Sequence, residues 1–80
     1  MNIKSYILDN PQLLEKCTPR QRKILSLRLG LPPYKTPRTL KYTGNFCYLS
    51  AERVRQIEKD ALERIKSHLE SNLQSLATFS

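Results

Sequence analysis

The chain has 80 residues, which holds one small domain and leaves no room for a large catalytic cleft. Apolar residues make up 39% and charged residues 26%, enough for the modest core of a soluble chain and too little for a membrane protein. Fourteen Lys and Arg face seven Asp and Glu, a net charge of +7 that favours a polyanionic partner, be it nucleic acid, an acidic protein or an acidic membrane surface.

The excess charge sits in the first half. Residues 1–40 carry eight Lys or Arg and two acids, whereas residues 41–80 carry six and five. Between residues 18 and 38 stand Arg20, Arg22, Lys23, Arg28, Lys35 and Arg38 with no acid among them. A solvated helix usually mixes signs, so this stretch reads either as a counterion-displacing surface or as a plain basic face. Cys17, Cys47 and the lone His68 lack the spacing of a zinc site, and both thiols read as reduced core residues, so no metal is expected. No nucleophile–base pair, Gly-rich phosphate loop or paired-carboxylate motif is present, so neither enzyme activity nor a cofactor is expected. Residues 1–8 hold no secretory apolar run, and the expected location is the cytoplasm.

Punctuation divides the chain into helices. Residues 1–9 are either flexible or a short helix. Asn10-Pro11 opens a short segment, with Asn as cap and Pro at the first helical position, followed by Leu13, Leu14 and Cys17. Thr18-Pro19-Arg20-Gln21 repeats the device as a capping box and starts a basic helix over residues 18–30. Its apolar side is Ile24, Leu25, Leu27, Leu29 and Leu31, the arginines take the other side, and Gly30 provides a left-handed stop. Pro32, Pro33 and Pro37 make residues 31–38 an extended connection. A short helix over residues 40–47 follows from Leu40, Thr43 and Cys47 on one face. Ser50 then caps a long helix from Ala51 to about Leu69 or beyond, with the stripe Val54, Ile57, Ala61, Leu62, Ile65, Leu69, Leu73 and Leu76. Residues 70–80 read as an extension of it or a frayed tail. Short helix, tight turn and long helix over residues 39–69 form a helix-turn-helix, so the expected fold is a single all-α domain of about four helices with a long C-terminal recognition helix.

The run Glu52-Arg53-Val54-Arg55-Gln56-Ile57-Glu58, followed by Ala61-Leu62, resembles the core of region 4 in the sigma-70 family of bacterial RNA polymerase sigma factors. Upstream, the stretch from Thr18-Pro19-Arg20-Gln21 to Leu29-Gly30-Leu31 is similar to that family's preceding segment, Leu-Thr-x-Arg-Glu-Arg-x-Val-Leu-x-Leu-Arg-Phe-Gly-Leu. The resemblance implies a helix that enters the major groove at the minus-35 promoter element with Glu52, Arg55 and Gln56 facing bases. The side chains suit that role, since Glu accepts from cytosine N4, Arg forks onto guanine and Gln pairs with adenine. It further implies phosphate contacts from Arg20, Arg28, Lys59 and the start of the helix at Thr39 and Leu40, which helix N-termini and arginine forks favour. Gly44 falls where the family has a small residue that lets two helices approach. The partners implied are double-stranded promoter DNA, the flap of the polymerase β subunit and other transcription regulators, with the chain on the nucleoid.

Departures from the pattern leave a second reading open. Ala51 stands where the family usually has an Arg, Lys41-Tyr42-Thr43-Gly44 replaces Glu-Glu-Ile-Gly, Cys47 replaces Phe, and Asp60 and Glu63 replace residues that are basic in housekeeping members. Eighty residues also lack room for region 2, the part that melts DNA. The residue pattern therefore supports an accessory or split sigma component that reads DNA and docks on the flap. It also fits a polymerase-binding adaptor, coactivator or inhibitor that keeps the fold without reading DNA. In that second case 52, 55, 56 and 59 form a solvated helix face held by neighbouring Glu52/Gln56 and Arg55/Lys59 pairs. Tyr34, Tyr42 and Tyr48 would serve single-stranded nucleic acid only if the fold placed them on one platform.

Overall fold

The computed structural model describes residues 2–79, with side chains described as far as residue 71. It has helix α1 (Ile3–Asp9), a 3-10 segment (Pro11–Lys16), and helices α2 (Pro19–Leu29), α3 (Leu40–Cys47) and α4 (Ala51–Phe79). No strand occurs among the described residues, so the all-α expectation holds.

Each helix starts where its side chains can satisfy open backbone amides. Thr18 Oγ1 accepts from the Gln21 amide while Gln21 Oε1 accepts from the Thr18 amide, the full capping box. Thr39 Oγ1 takes the Tyr42 amide and Ser50 Oγ the Arg53 amide, each at 3.0 Å. Gly30 closes α2 at φ 73, and a Cβ there would lie 2.5 Å from the Thr36 carbonyl carbon, so glycine is required on both counts. Of the two forms expected at the N-terminus, residues 3–9 take the helical one, because Asn2 Oδ1 caps the Lys4 amide and Ile3 and Ile7 face inward. One expectation there is corrected. Asn10 makes no side-chain cap for the next segment; its Nδ2 donates back to the Tyr6 carbonyl instead.

α2 runs through the middle of the domain and is apolar on more than one side. Leu25 and Leu29 join Ile7, Leu14, Cys17, Leu31, Ala61 and Ile65 in one core cluster. Ile24 instead packs with Val54 and Ile57, beside Leu40, Cys47 and Leu49. The clean division of α2 into an apolar and an arginine side therefore fails at Arg28, which turns inward (below). Leu62 and Leu69 of the α4 stripe are half-buried against the first cluster, while Leu73 and Leu76 lie outside the described side chains. His68 is half-buried within α4. Gly44 carries the close helix approach: a Cβ there would meet the Leu49 carbonyl oxygen at 2.5 Å.

The connection at residues 31–38 is turned, not extended. The Leu31 amide reaches the Ser26 carbonyl, Tyr34 that of Leu31 and Thr36 that of Tyr34; the Pro32-Pro33 peptide is cis. The Arg38 amide then bonds the Leu27 carbonyl at 3.0 Å, folding the segment back against α2. Prolines restricted the local dihedrals as expected, but the left-handed Gly30 and these returning amides set the direction.

Candidate nucleic-acid interface

Because the apolar stripe of α4 faces the core, the opposite side is presented to solvent over its first turns. Val54, Ile57 and Ala61 are buried, whereas Glu52, Arg55, Gln56 and Lys59 are exposed and share the outer face. The structure thus brings together the three residues expected to face bases, with Lys59 beside them. They are held by pairs other than those the spacing first suggested. Arg55 forks onto Glu52 through Nε (3.1 Å to Oε2) and Nη2, and Gln56 Nε2 donates to Asp60 Oδ1 at 3.0 Å. The Arg55 guanidinium pulls the Glu52 carboxyl below its ordinary range, chiefly by hydrogen bonding, and the Arg55 value rises in return. This fork is fully in water, so it is easily exchanged for a better acceptor. A shallow groove of about 320 Å³ runs beside it, between Ile3 and the Arg55, Lys59 and Leu62 side of α4.

The residues expected at phosphates are dispersed. Arg20 is exposed in the first turn of α2, and Thr39 is exposed at the start of α3 with Leu40 half-buried beside it. Thr39 uses its hydroxyl on Tyr42, which leaves the amides of Leu40 and Lys41 at the open helix end. Arg28 lies elsewhere. Its Nε donates to Glu58 Oε2 at 3.1 Å and its Nη1 to the Arg38 carbonyl at 2.5 Å. The Glu58 side chain is only 7% exposed, and Lys4 Nζ approaches its other oxygen at 3.2 Å. Arg28 thus ties α2 to α4 and to the returning loop. Nothing in the local sequence marks this, because Glu58 is thirty residues away.

Cys17 is buried with its Sγ 4.0 Å from the Ala61 carbonyl, and burial raises its pKa despite the opposing charges of Arg64 and Arg22. Cys47 is half-buried, and no His, Cys, Asp and Glu group among the described residues is arranged to hold a metal. Nor is any helix there long and apolar enough to cross a membrane.

A side-chain ladder on α2 and α3 was not legible beforehand. Lys23 Nζ sits 5.3 Å from the Phe46 ring centroid, Phe46 stacks on Tyr42 at 6.3 Å, and the Arg38 guanidinium lies 4.9 Å from the Tyr42 ring. Tyr34 meets Phe46 edge-on at 6.0 Å, while Tyr48 is 96% exposed and its ring is in neither of these ring pairs. The three tyrosines therefore do not form one platform. Tyr42 and Phe46 are four residues apart on α3, which was the available signal.

The family profile for sigma-70, region 4 matches residues 13–67. The chain is 42% identical over 74 residues to the chloroplastic RNA polymerase sigma factor sigF of Arabidopsis thaliana, covering 90% of this chain and 13% of that one. It is 31% identical over 67 residues to the RNA polymerase sigma factor SigA of Mycoplasma pneumoniae, covering 82% and 13%. Against SigA of Clostridium acetobutylicum the identity is 40% over 55 residues, or 69% and 14%. The chain thus spans only about an eighth of the length of the first relatives it matches. No solved structure matches it.

Proposed function

This chain belongs to the sigma-70 region 4 family, and on that premise we propose that it reads duplex promoter DNA with the outer face of α4. The observation that carries the proposal is the shared exposure of Glu52, Arg55, Gln56 and Lys59 opposite the buried stripe. On entering the major groove, Arg55 exchanges the Glu52 carboxylate for guanine O6 and N7. Glu52, so released, accepts from a cytosine amine, and Gln56 exchanges Asp60 for an adenine edge. Arg20, Lys59 and the open amides of Leu40 and Lys41 fix the register on the phosphates. Arg28 supports the reader from inside, its guanidinium engaged by Glu58 and the Arg38 carbonyl and not by a phosphate. The chain works beside RNA polymerase, as the names of the sigma factors it resembles suggest, and the β flap is the docking partner that the family resemblance implies.

One observation favours the adaptor reading. Ala51, exposed at the first position of α4, offers the groove a methyl group where an arginine would offer a fork. Selection of bound duplexes from a random pool separates the two readings. A reader enriches a defined sequence, and Ala51→Arg tightens binding to it. An adaptor enriches none and binds the isolated flap equally well with and without DNA.

A further inference from the structure

No Asp or Glu occurs between Glu15 and Glu52, and within that span the fold assembles the Lys23–Phe46–Tyr42–Arg38 ladder on one side of the domain. Each ring already carries a cation, Lys23 over Phe46 and Arg38 over Tyr42, and the two rings lie nearly parallel with centroids 6.3 Å apart. At one end a notch of about 170 Å³ opens beside Phe46, floored by Ile24, Cys47 and Leu49 and bordered by Arg20 and Lys23. At ~30 Å³ per water it holds roughly five or six waters, the bulk of one apolar side chain. Tyr48, almost wholly exposed, stands at the same rim.

We propose that this surface docks an acidic protein segment whose single apolar anchor fills the notch beside Phe46 while flanking carboxylates meet Lys23 and Arg20. Charge complementarity selects the sign of the partner, since Arg20 and Lys23 border the notch and no acid lines it. The apolar floor and the half-exposed rings select a protein over nucleic acid. Phosphates would use the cations alone and leave the apolar floor of Ile24, Cys47 and Leu49 unfilled. Exposed Tyr, Phe and Arg around a small pocket are also the composition of binding hot spots. The face lies on α2 and α3 and uses none of the base-facing residues of α4, but it shares Arg20 with the proposed phosphate contacts, so peptide and duplex compete for that side chain.

An amide-shift titration of the whole chain tests this, with a synthetic peptide bearing one Phe within a run of Glu. The expected result is saturable movement of the Lys23, Phe46, Cys47 and Tyr48 amides. Phe46→Ala and Lys23→Glu should each weaken binding at least about fivefold, and Tyr48→Ala, which the fold does not need, about threefold. A thermal melt of each variant checks that the domain is intact. Equal binding of the same peptide with Lys in place of Glu overturns the proposal, as does unchanged affinity in a folded Phe46→Ala. Movement of these amides by a thymidine oligonucleotide and not by the Glu peptide also overturns it and gives the surface to nucleic acid. The base-reading proposal for α4 stands or falls separately, on the duplex selection.

Discussion

Two arginines of this domain make the same kind of bond in opposite settings. Arg28 meets Glu58 in the seam between α2 and α4, where the carboxylate is almost buried and Lys4 closes its other side. Arg55 meets Glu52 on the outer face of α4, three residues apart and in full contact with water. An ion pair in the interior opposes a large desolvation term, and removal of one partner strands the other. A pair in water has little to lose and can be traded for a ligand. The sequence resemblance placed both arginines at DNA; only their burial separates a side chain that holds the fold from one that is available to bind.

Replacing Arg28 by Ala should give the largest effect, about 3 to 5 kcal/mol of stability by denaturant midpoint, because Glu58 is left with Lys4 alone. An unchanged midpoint would place Arg28 outside the seam. The double variant Arg28→Met with Glu58→Leu removes both charges, and its stability should return to within about 1 kcal/mol of the parent, or exceed it. Arg55→Ala should leave the midpoint where it is and instead relax preference at one base pair by about 5- to 150-fold, measured on selected and scrambled duplexes. Equal small losses on both duplexes would remove base reading from Arg55.

The smallest effect is a titration. The Glu52 carboxyl lies below its ordinary range because of Arg55, so the fork is complete at neutral pH. Its contribution to stability is present above the ordinary carboxylate range and is lost as pH falls through the depressed value. Following the Glu52 carboxyl by NMR should show that Arg55→Ala, or binding of duplex DNA to the outer face, moves it back up.

Much of this was legible because it is local. The capping box at Thr18 and Gln21, the left-handed Gly30, the exact span of α3 and the inward stripe of α4 each follow from residues within a turn or two of one another. The outer face of α4 was legible for the same reason. What escaped depends on distant chain. Arg28 looked like another solvent-side cation until Glu58 arrived from α4, and the proline-rich connection looked extended until Arg38 found the Leu27 carbonyl. Residues 3–9 gave a weak signal because a seven-residue helix is marginal without the tertiary contacts of Ile3 and Ile7. The ladder on α3 needed Lys23 and Arg38 from two other parts of the chain.

The Glu58 pairing has a consequence for aim. Apolar packing is non-directional, so the stripe of α4 by itself tolerates a small roll about the helix axis. Each residue advances the helix by about 100°, and a roll of a few tens of degrees would, in the proposed complex, carry Arg55 and Gln56 off the line of base edges. Glu58, two and three residues beyond them, is hydrogen-bonded by Arg28 from α2 and ion-paired by Lys4 from α1, contacts that lengthen if α4 turns. The carboxylate therefore acts as an index pin that fixes the azimuth of the helix, and a charge hidden from DNA sets where the exposed ones point.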